Sequence, residues 1–247
     1  MKSESSLFNT IKRKVGSAIK RYNMISENDK ILVGLSGGKD SLILLQVLKT
    51  LQYKAPINFE IEALHIQTDI KNTDIKKLKQ FCDNLKIVLH ITDINLDRII
   101  RSKKNRKSYC AFCSRLRRGY IYKFASKNAF DKIALGHHRE DFNETLLMNM
   151  FFSGIMKSMA VKLISDDSKN TVIRPMVNVS EELILKYSNE SNLKISEGVC
   201  CHSWKSSRKF MKNLLDEIEM SYPKIKNNLL ASQTRIIKSH LLEFSED

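Results

Sequence analysis

Apolar side chains in the first 28 residues fall at Phe8, Ile11, Val15, Ala18 and Ile19 among lysines. That three-and-four spacing predicts an N-terminal helix burying one stripe. The pattern then changes to Lys30-Ile31-Leu32-Val33-Gly34-Leu35, a continuous apolar run rich in branched residues that stops at Ser36-Gly37-Gly38. Such a run predicts a strand buried on both faces and feeding a loop. Helical spacing resumes with Leu44, Leu45, Leu48 and Leu51. Strand-like runs return at 59–66, 86–94 and 132–136, separated by helical patterns at 74–84 and 116–128. A helix is predicted at 141–152 and a last strand at 171–175, while 205–220 and 227–242 again read as helices. Strands alternating with helices predict an α/β fold, Rossmann-like, with a doubly wound, mostly parallel sheet. The expected division is a helical extension over residues 1–28, an α/β domain over 29–195 and a C-terminal helical segment over 196–247.

Composition narrows this further. The chain has 247 residues, 42% apolar and 28% charged, so a disordered or collagen-like chain is excluded. Its 42 basic against 27 acidic residues leave a formal charge of +15, which points to a partner rich in phosphate. No apolar run long enough for a secretory signal precedes Lys12-Arg13-Lys14, and none reaches a membrane span, so a cytosolic protein is expected. In a reducing compartment, five cysteines suggest metal or redox chemistry rather than a disulfide framework.

Two motifs carry that chemistry. Ser36-Gly37-Gly38-Lys39-Asp40-Ser41 lies between a buried strand and a helix. Paired glycines let the backbone turn sharply and bring amide N–H groups to an anion, and the helix N-terminus adds partial positive charge. The loop is suited to pyrophosphate, yet it lacks the spacing of a Walker loop. It resembles the PP-loop of the ATP pyrophosphatases, which cleave ATP between the α and β phosphates. That resemblance implies that Asp40 helps to hold Mg²⁺ and that the Ser36 and Ser41 hydroxyls meet phosphate oxygens; Lys39 is the least secure member, since the backbone alone can bind phosphate.

The second motif is Cys110-Ala111-Phe112-Cys113, with Cys200-Cys201 downstream and Cys82 in a helical pattern. Spacing alone permits zinc, an iron–sulfur cluster or a redox pair. Adjacent Cys200 and Cys201 are awkwardly placed to bind one ion together, so three sulfurs with an open metal position suit the pattern better than four.

The string Cys110 to Gly119, then Gly136-His137-His138-Arg139, Asp141, Glu144 and Thr145, and also Ile173-Arg174-Pro175 and Tyr222-Pro223, resembles the tRNA 2-thiocytidine synthetases, over about residues 15–240. Membership would imply an ATP- and Mg²⁺-dependent transferase that installs sulfur at C2 of cytidine 32 in the tRNA anticodon loop. It would imply a 4Fe-4S cluster on three cysteines: Cys110, Cys113 and, from the C-terminal segment, Cys201, with Cys200 as the fallback. Here the usual second Cys-x-x-Cys is altered, because Gly198 replaces its first cysteine. The resemblance also places Gly136 and His137 beside the nucleotide, and we expect Asp141 to act with Asp40 in catalysis. Glu140 stands where this family usually has a second Asp.

Basic clusters at 101–107, at Arg115, Arg117 and Arg118, and at 205–212 are the expected tRNA contacts. The expected partners are therefore tRNA, ATP and a sulfur donor such as a cysteine desulfurase, with no membrane; a homodimer is left open. The rival readings are another PP-loop tRNA-modifying enzyme and a tRNA-binding paralogue that has lost sulfur transfer.

Overall fold

The computed structural model describes residues 5–68, 73–94, 109–165, 169–193, 195, 207–237 and 240, with the backbone alone at 109–111. The chain forms two compact units, Met1–His138 with Ala160–Lys205, and Arg139–Met159 with Ser206–Asp247.

The first unit is built on a six-stranded sheet. Its elements are α1 (Ser6–Arg21), β1 (Asp29–Leu35), α2 (Lys39–Gln52), β2 (Phe59–Thr68), α3 (Ile75–Asn84), β3 (Leu89–Ile94), α4 (Tyr109–Lys127) and β4 (Lys132–Ala134). Beyond the second unit's α5 (Arg139–Ser153) follow β5 (Lys162–Ile164), β6 (Thr171–Ile173) and α6 (Glu181–Glu190). The strand order is β3-β2-β1-β4-β6-β5. All neighbours are parallel except β5 and β6. The mostly parallel, doubly wound expectation therefore holds. The order reverses at β1, with β2 on one side and β4 on the other, and ligands of open α/β sheets collect outside the carboxyl ends of the strands at such a switch point.

Helices close both faces, which is why the strands read as unbroken apolar runs. On one side α1, α2 and α6 pack together: Phe8 stacks at 5.2 Å on Tyr187, whose hydroxyl donates to Gln46 Oε1 at 3.0 Å. On the other, Ile121 and Ala125 of α4 join Leu32, Leu64, Ile133 and Val172 in one core, with Cys113 and Leu116 packed against it. Caps set the helix starts. Ser5, Asp74 and Ser180 each accept a first-turn backbone N–H, from Leu7, Lys77 and Leu183.

The departures from expectation have local causes. Helix α4 begins seven residues before the predicted position, so the Cys110-x-x-Cys113 segment is helical. The edge strand β5 and the capped helix α6 escape the pattern, β5 because all three residues are exposed and carry no buried signal. Helix α8 (Ile225–Ser232) stops ten residues short of Leu242. Hydroxyls of Ser232 and Thr234 bond back to the Leu229 and Ala231 carbonyls there, offering the backbone an alternative to another turn. In the second unit, α5, α7 (Ser207–Ser221) and α8 pack pairwise. Asn143 of α5, fully buried, donates to the Lys226 carbonyl at 2.8 Å and accepts from Gln233.

Strand β3 starts at Leu89 rather than Lys86 because α3 ends in a Schellman turn. Ile87 N–H bonds the Cys82 carbonyl, Lys86 N–H bonds that of Asp83, and Lys86 sits at φ 54°. A left-handed lysine is strained where glycine would not be, so Lys86→Gly should raise stability by about 0.5–1 kcal/mol in urea unfolding.

Candidate active site

The turn after β1 is fixed by its own serines. Gly37 takes φ 74°, a conformation that suits glycine. Ser41 Oγ donates to the Gly38 carbonyl at 2.9 Å and accepts from Ser36 N–H at 3.1 Å. The Ser36 and Ser41 hydroxyls lie 3.1 Å apart, and Ser36 Oγ also accepts from Gly38 N–H at 3.3 Å. Gly38 caps α2 without any side-chain hydrogen bond. That start of α2 therefore combines the helix dipole with a glycine-bounded approach for an anion.

The loop is supported from below by a residue the sequence pattern does not reveal. His65 of β2, only 2% exposed, donates from Nδ1 to the Leu35 carbonyl at 2.8 Å and anchors the end of β1. A histidine inside a strand reads as filler until its partner on the next strand is known.

Gly136 follows β4 and lies against this turn. A Cβ at Gly136 would fall 3.1 Å from the Asp40 carbonyl group and 3.1 Å from Ser41 N, all backbone atoms. Only glycine fits so close an approach without displacing the loop. Next in the chain, His137 Nδ1 accepts from Nε of Arg174 at 3.2 Å. A guanidinium only donates, so the imidazole holds its proton on Nε2. Arg174 is 4% exposed and also bonds the Ala160 carbonyl, which makes it a rigid brace. Sequence reading saw Arg174 only as part of a matching string; 37 residues separate it from His137.

Asp40 holds an anomaly. Its Oδ1 is shielded from solvent and makes no hydrogen bond. Lys39 Nζ stands 3.4 Å away as an ion-pair partner, misaligned for a bond. An orphaned carboxylate oxygen at a pyrophosphate loop is a fitting ligand for a hard divalent cation.

Asp141 and Glu144 belong to the second unit. Arg208 of α7 holds both, Nη1 at 2.8 Å from Asp141 Oδ1 and 3.5 Å from Glu144 Oε2, while Nη2 donates to Thr145 Oγ1 at 3.2 Å. Glu140, 4% exposed, pairs with Arg139.

Of the cysteine set, Cys110 and Cys113 lie one turn apart in α4. The Cys110 side chain and all of Cys200 and Cys201 fall outside the described residues, as do the basic positions 101–107 and 205–206. Among the described residues no three His, Cys, Asp or Glu side chains are grouped for a metal. Cys113 is half-buried and in no disulfide. Cys82 is fully buried, and burial pushes its thiol up to about 11. Arg115 and Arg118 are exposed, whereas Arg117 is half-buried. No helix among the described residues is long and apolar enough to cross a membrane.

Comparison with known proteins gives concordant results. A PP-loop domain family matches residues 7–218. A tRNA-cytidine(32) 2-sulfurtransferase from Geotalea daltonii is 39% identical over 246 residues, covering 97% of this chain and 96% of that protein. One from Francisella tularensis subsp. novicida is 40% identical over 235 residues, 94% of this chain and 88% of its own. Among solved structures, the U34-tRNA thiolase NcsA from Methanococcus maripaludis with its [4Fe-4S] cluster superposes with a TM-score of 0.76 at 25% identity, covering 96% and 84% of the two chains. An NH3-dependent NAD synthetase from Campylobacter jejuni shares the fold at a TM-score of 0.54 and 18% identity, over 97% and 99%.

Two outcomes follow from the geometry. Gly136→Ala should weaken ATP binding by about tenfold or more in calorimetry, because overpacking by a methyl costs ~1–3 kcal/mol and its neighbours are backbone. In native protein at pH 8, iodoacetamide should leave Cys82 unmodified in peptide mass spectra, since burial holds the thiol protonated.

Proposed function

The chain belongs to the tRNA-cytidine(32) 2-sulfurtransferase family of PP-loop enzymes, and on that premise we propose that it uses ATP to replace the C2 oxygen of cytidine 32 in tRNA by sulfur. The observation that carries this reading is the meeting of the Ser36–Ser41 turn with Gly136 at the switch point of the sheet, beside the orphaned Asp40 Oδ1.

The chemistry needs two displacements. The cytosine C2 carbonyl is a poor electrophile, because losing its oxygen directly would expel oxide. In the first step that oxygen attacks the α phosphorus of ATP, the bond to the β phosphate breaks, and pyrophosphate leaves. Free amides at the start of α2, with the Ser36 and Ser41 hydroxyls, receive the phosphates and stabilise charge growing on pyrophosphate. Gly136 fixes how closely the nucleotide approaches, and Arg174 holds His137 with Nε2–H as a donor toward the same end of the sheet. Mg²⁺ suits the orphaned Asp40 oxygen and would neutralise phosphate charge there. In the second step sulfur at the sulfide level bonds to C2, and the C2–O bond breaks to release AMP.

Cys110, Cys113 and Cys201 are the residues that would hold an iron–sulfur cluster, with Cys200 in reserve. The described part of that donor set fits such a group: Cys113 is half-buried and outside any disulfide, and the guanidinium one turn onward has a shielded, partnerless Nε. Three thiolate ligands would leave one iron able to bind the sulfur that is transferred, which is the chemistry the cluster supplies. A sulfur donor such as a cysteine desulfurase must supply each equivalent. Exposed Arg115 and Arg118 on α4 are suited to anticodon phosphates.

Anaerobic assay with tRNA lacking the modification tests this. Wild-type protein should convert ATP to AMP and pyrophosphate and yield 2-thiocytidine at position 32 by nucleoside mass spectrometry. Asp40→Asn should slow AMP formation by roughly 100-fold or more, the scale of a lost metal contact. Cys113→Ser should abolish iron uptake and thiolation while ATP binding persists. Unthiolated cytidine 32 with iron-loaded wild-type protein, ATP and sulfide would overturn the reading.

A further inference from the structure

Helix α4 carries three arginines within four positions, and they are not alike. Arg115 and Arg118 are exposed, and Arg118 Nε bonds only the Ser114 carbonyl of its own helix at 3.4 Å. Arg117 turns inward. Its side chain is half-buried and its Nε is out of contact with solvent, with no hydrogen-bond partner among the described residues. No carboxylate among those residues pairs with it; the one group that acts on its charge is Cys113, four positions earlier and so on the same helix face. Burial disfavours the charged guanidinium and the Cys113 thiolate favours it, the first effect being the larger.

A cation shielded from water without an anion is costly, and buried charges in folded proteins are paired or ligate something. A surface arginine that meets RNA phosphate has no need of shielding, as Arg115 and Arg118 show. The anion that suits Arg117 is therefore one that lies beside Cys113 and is itself out of solvent. Thiolates around an iron–sulfur group carry such excess negative charge.

We propose that Arg117 is a positioning residue for the sulfur-transfer site, supplying the counter-charge to the cluster held at Cys113, and that it does not contact tRNA phosphate. This rests on the cluster reading given above. The guanidinium compensates the thiolate ligands, tightens iron binding and raises the reduction potential of the bound group. In protein without iron, Arg117 is an uncompensated charge that destabilises α4.

The test uses full-length protein, reconstituted anaerobically with iron and sulfide, as wild type, R117M, R117K and R118M. R117M should hold iron about tenfold or more less tightly in chelator competition, the usual scale for losing an outer-shell partner. Its loaded form should show a more negative midpoint potential, and R117K should recover most of that shift because it retains the charge. Iron-free R117M should melt at or above the wild-type temperature, whereas removing a merely structural, paired arginine would lower it. Affinity for an anticodon stem-loop and its salt dependence should be unchanged in R117M and reduced in R118M. If R117M keeps the wild-type potential and iron affinity, or weakens RNA binding as R118M does, the assignment of Arg117 is overturned while the cluster stands. Wild-type protein that takes up no iron overturns the cluster reading itself, and the role of Arg117 with it.

Discussion

The approach of Gly136 to the first turn of α2 is the constraint on which the site depends. Strands β1 and β4 are parallel neighbours, so the loops leaving them emerge at the same end of the sheet. At that end the backbone after β4 rests 3.1 Å, counted from where a Cβ would be, from the backbone of Asp40 and Ser41. Neither side can yield, because both are main chain anchored in a buried sheet. The serine hydroxyl network then sets the shape of the turn, and the unprotected amides of α2 set its charge. His65 from β2 and Arg174 beyond β6 brace the two loops from either side. Chemistry at this position is thus held by hydrogen bonds to rigid strands, which limits the motion of groups that must meet phosphate.

Charge is distributed with the same economy. The protein carries +15, yet its arginines divide by function. Arg174 is buried and spends its donors on a carbonyl and a histidine. Arg208 joins α7 to α5 through Asp141, Glu144 and Thr145, so these acidic residues are held by ion pairing within the second unit. The run from Gly136 to Thr145 is continuous in sequence but passes from one compact unit to the other after His138. Glu144, 6% exposed and bound to Arg208, has the surroundings of a structural residue.

How much of this could be read from the chain varies with the kind of signal. Buried parallel strands announce themselves, since both faces must be apolar, and β1, β2 and β4 fell where the runs predicted them. The three exposed residues of β5 offered no pattern. The Schellman turn at Lys86 hid because lysine occupies a position that glycine usually marks. Helix α4 extended over the cysteine pair because Phe112, Cys113 and Leu116 continue the stripe of Ile121 and Ala125 onto the core, a continuation that basic neighbours obscured. The cysteine motif itself was plain, and its third member lies in a segment beyond the described residues.

Local order and chemistry were therefore settled by the sequence alone: the phosphate turn, the alternation of strands and helices, and the Cys-x-x-Cys and Gly-His motifs each depend on residues adjacent in the chain. Tertiary structure decided which distant groups meet. Strand order brought Gly136 onto the Asp40 turn, placed Arg174 on His137 and left Arg117 shielded while its neighbours face solvent. Those outcomes depend on packing between segments tens of residues apart, and no spacing along a chain encodes which of several similar arginines will turn inward.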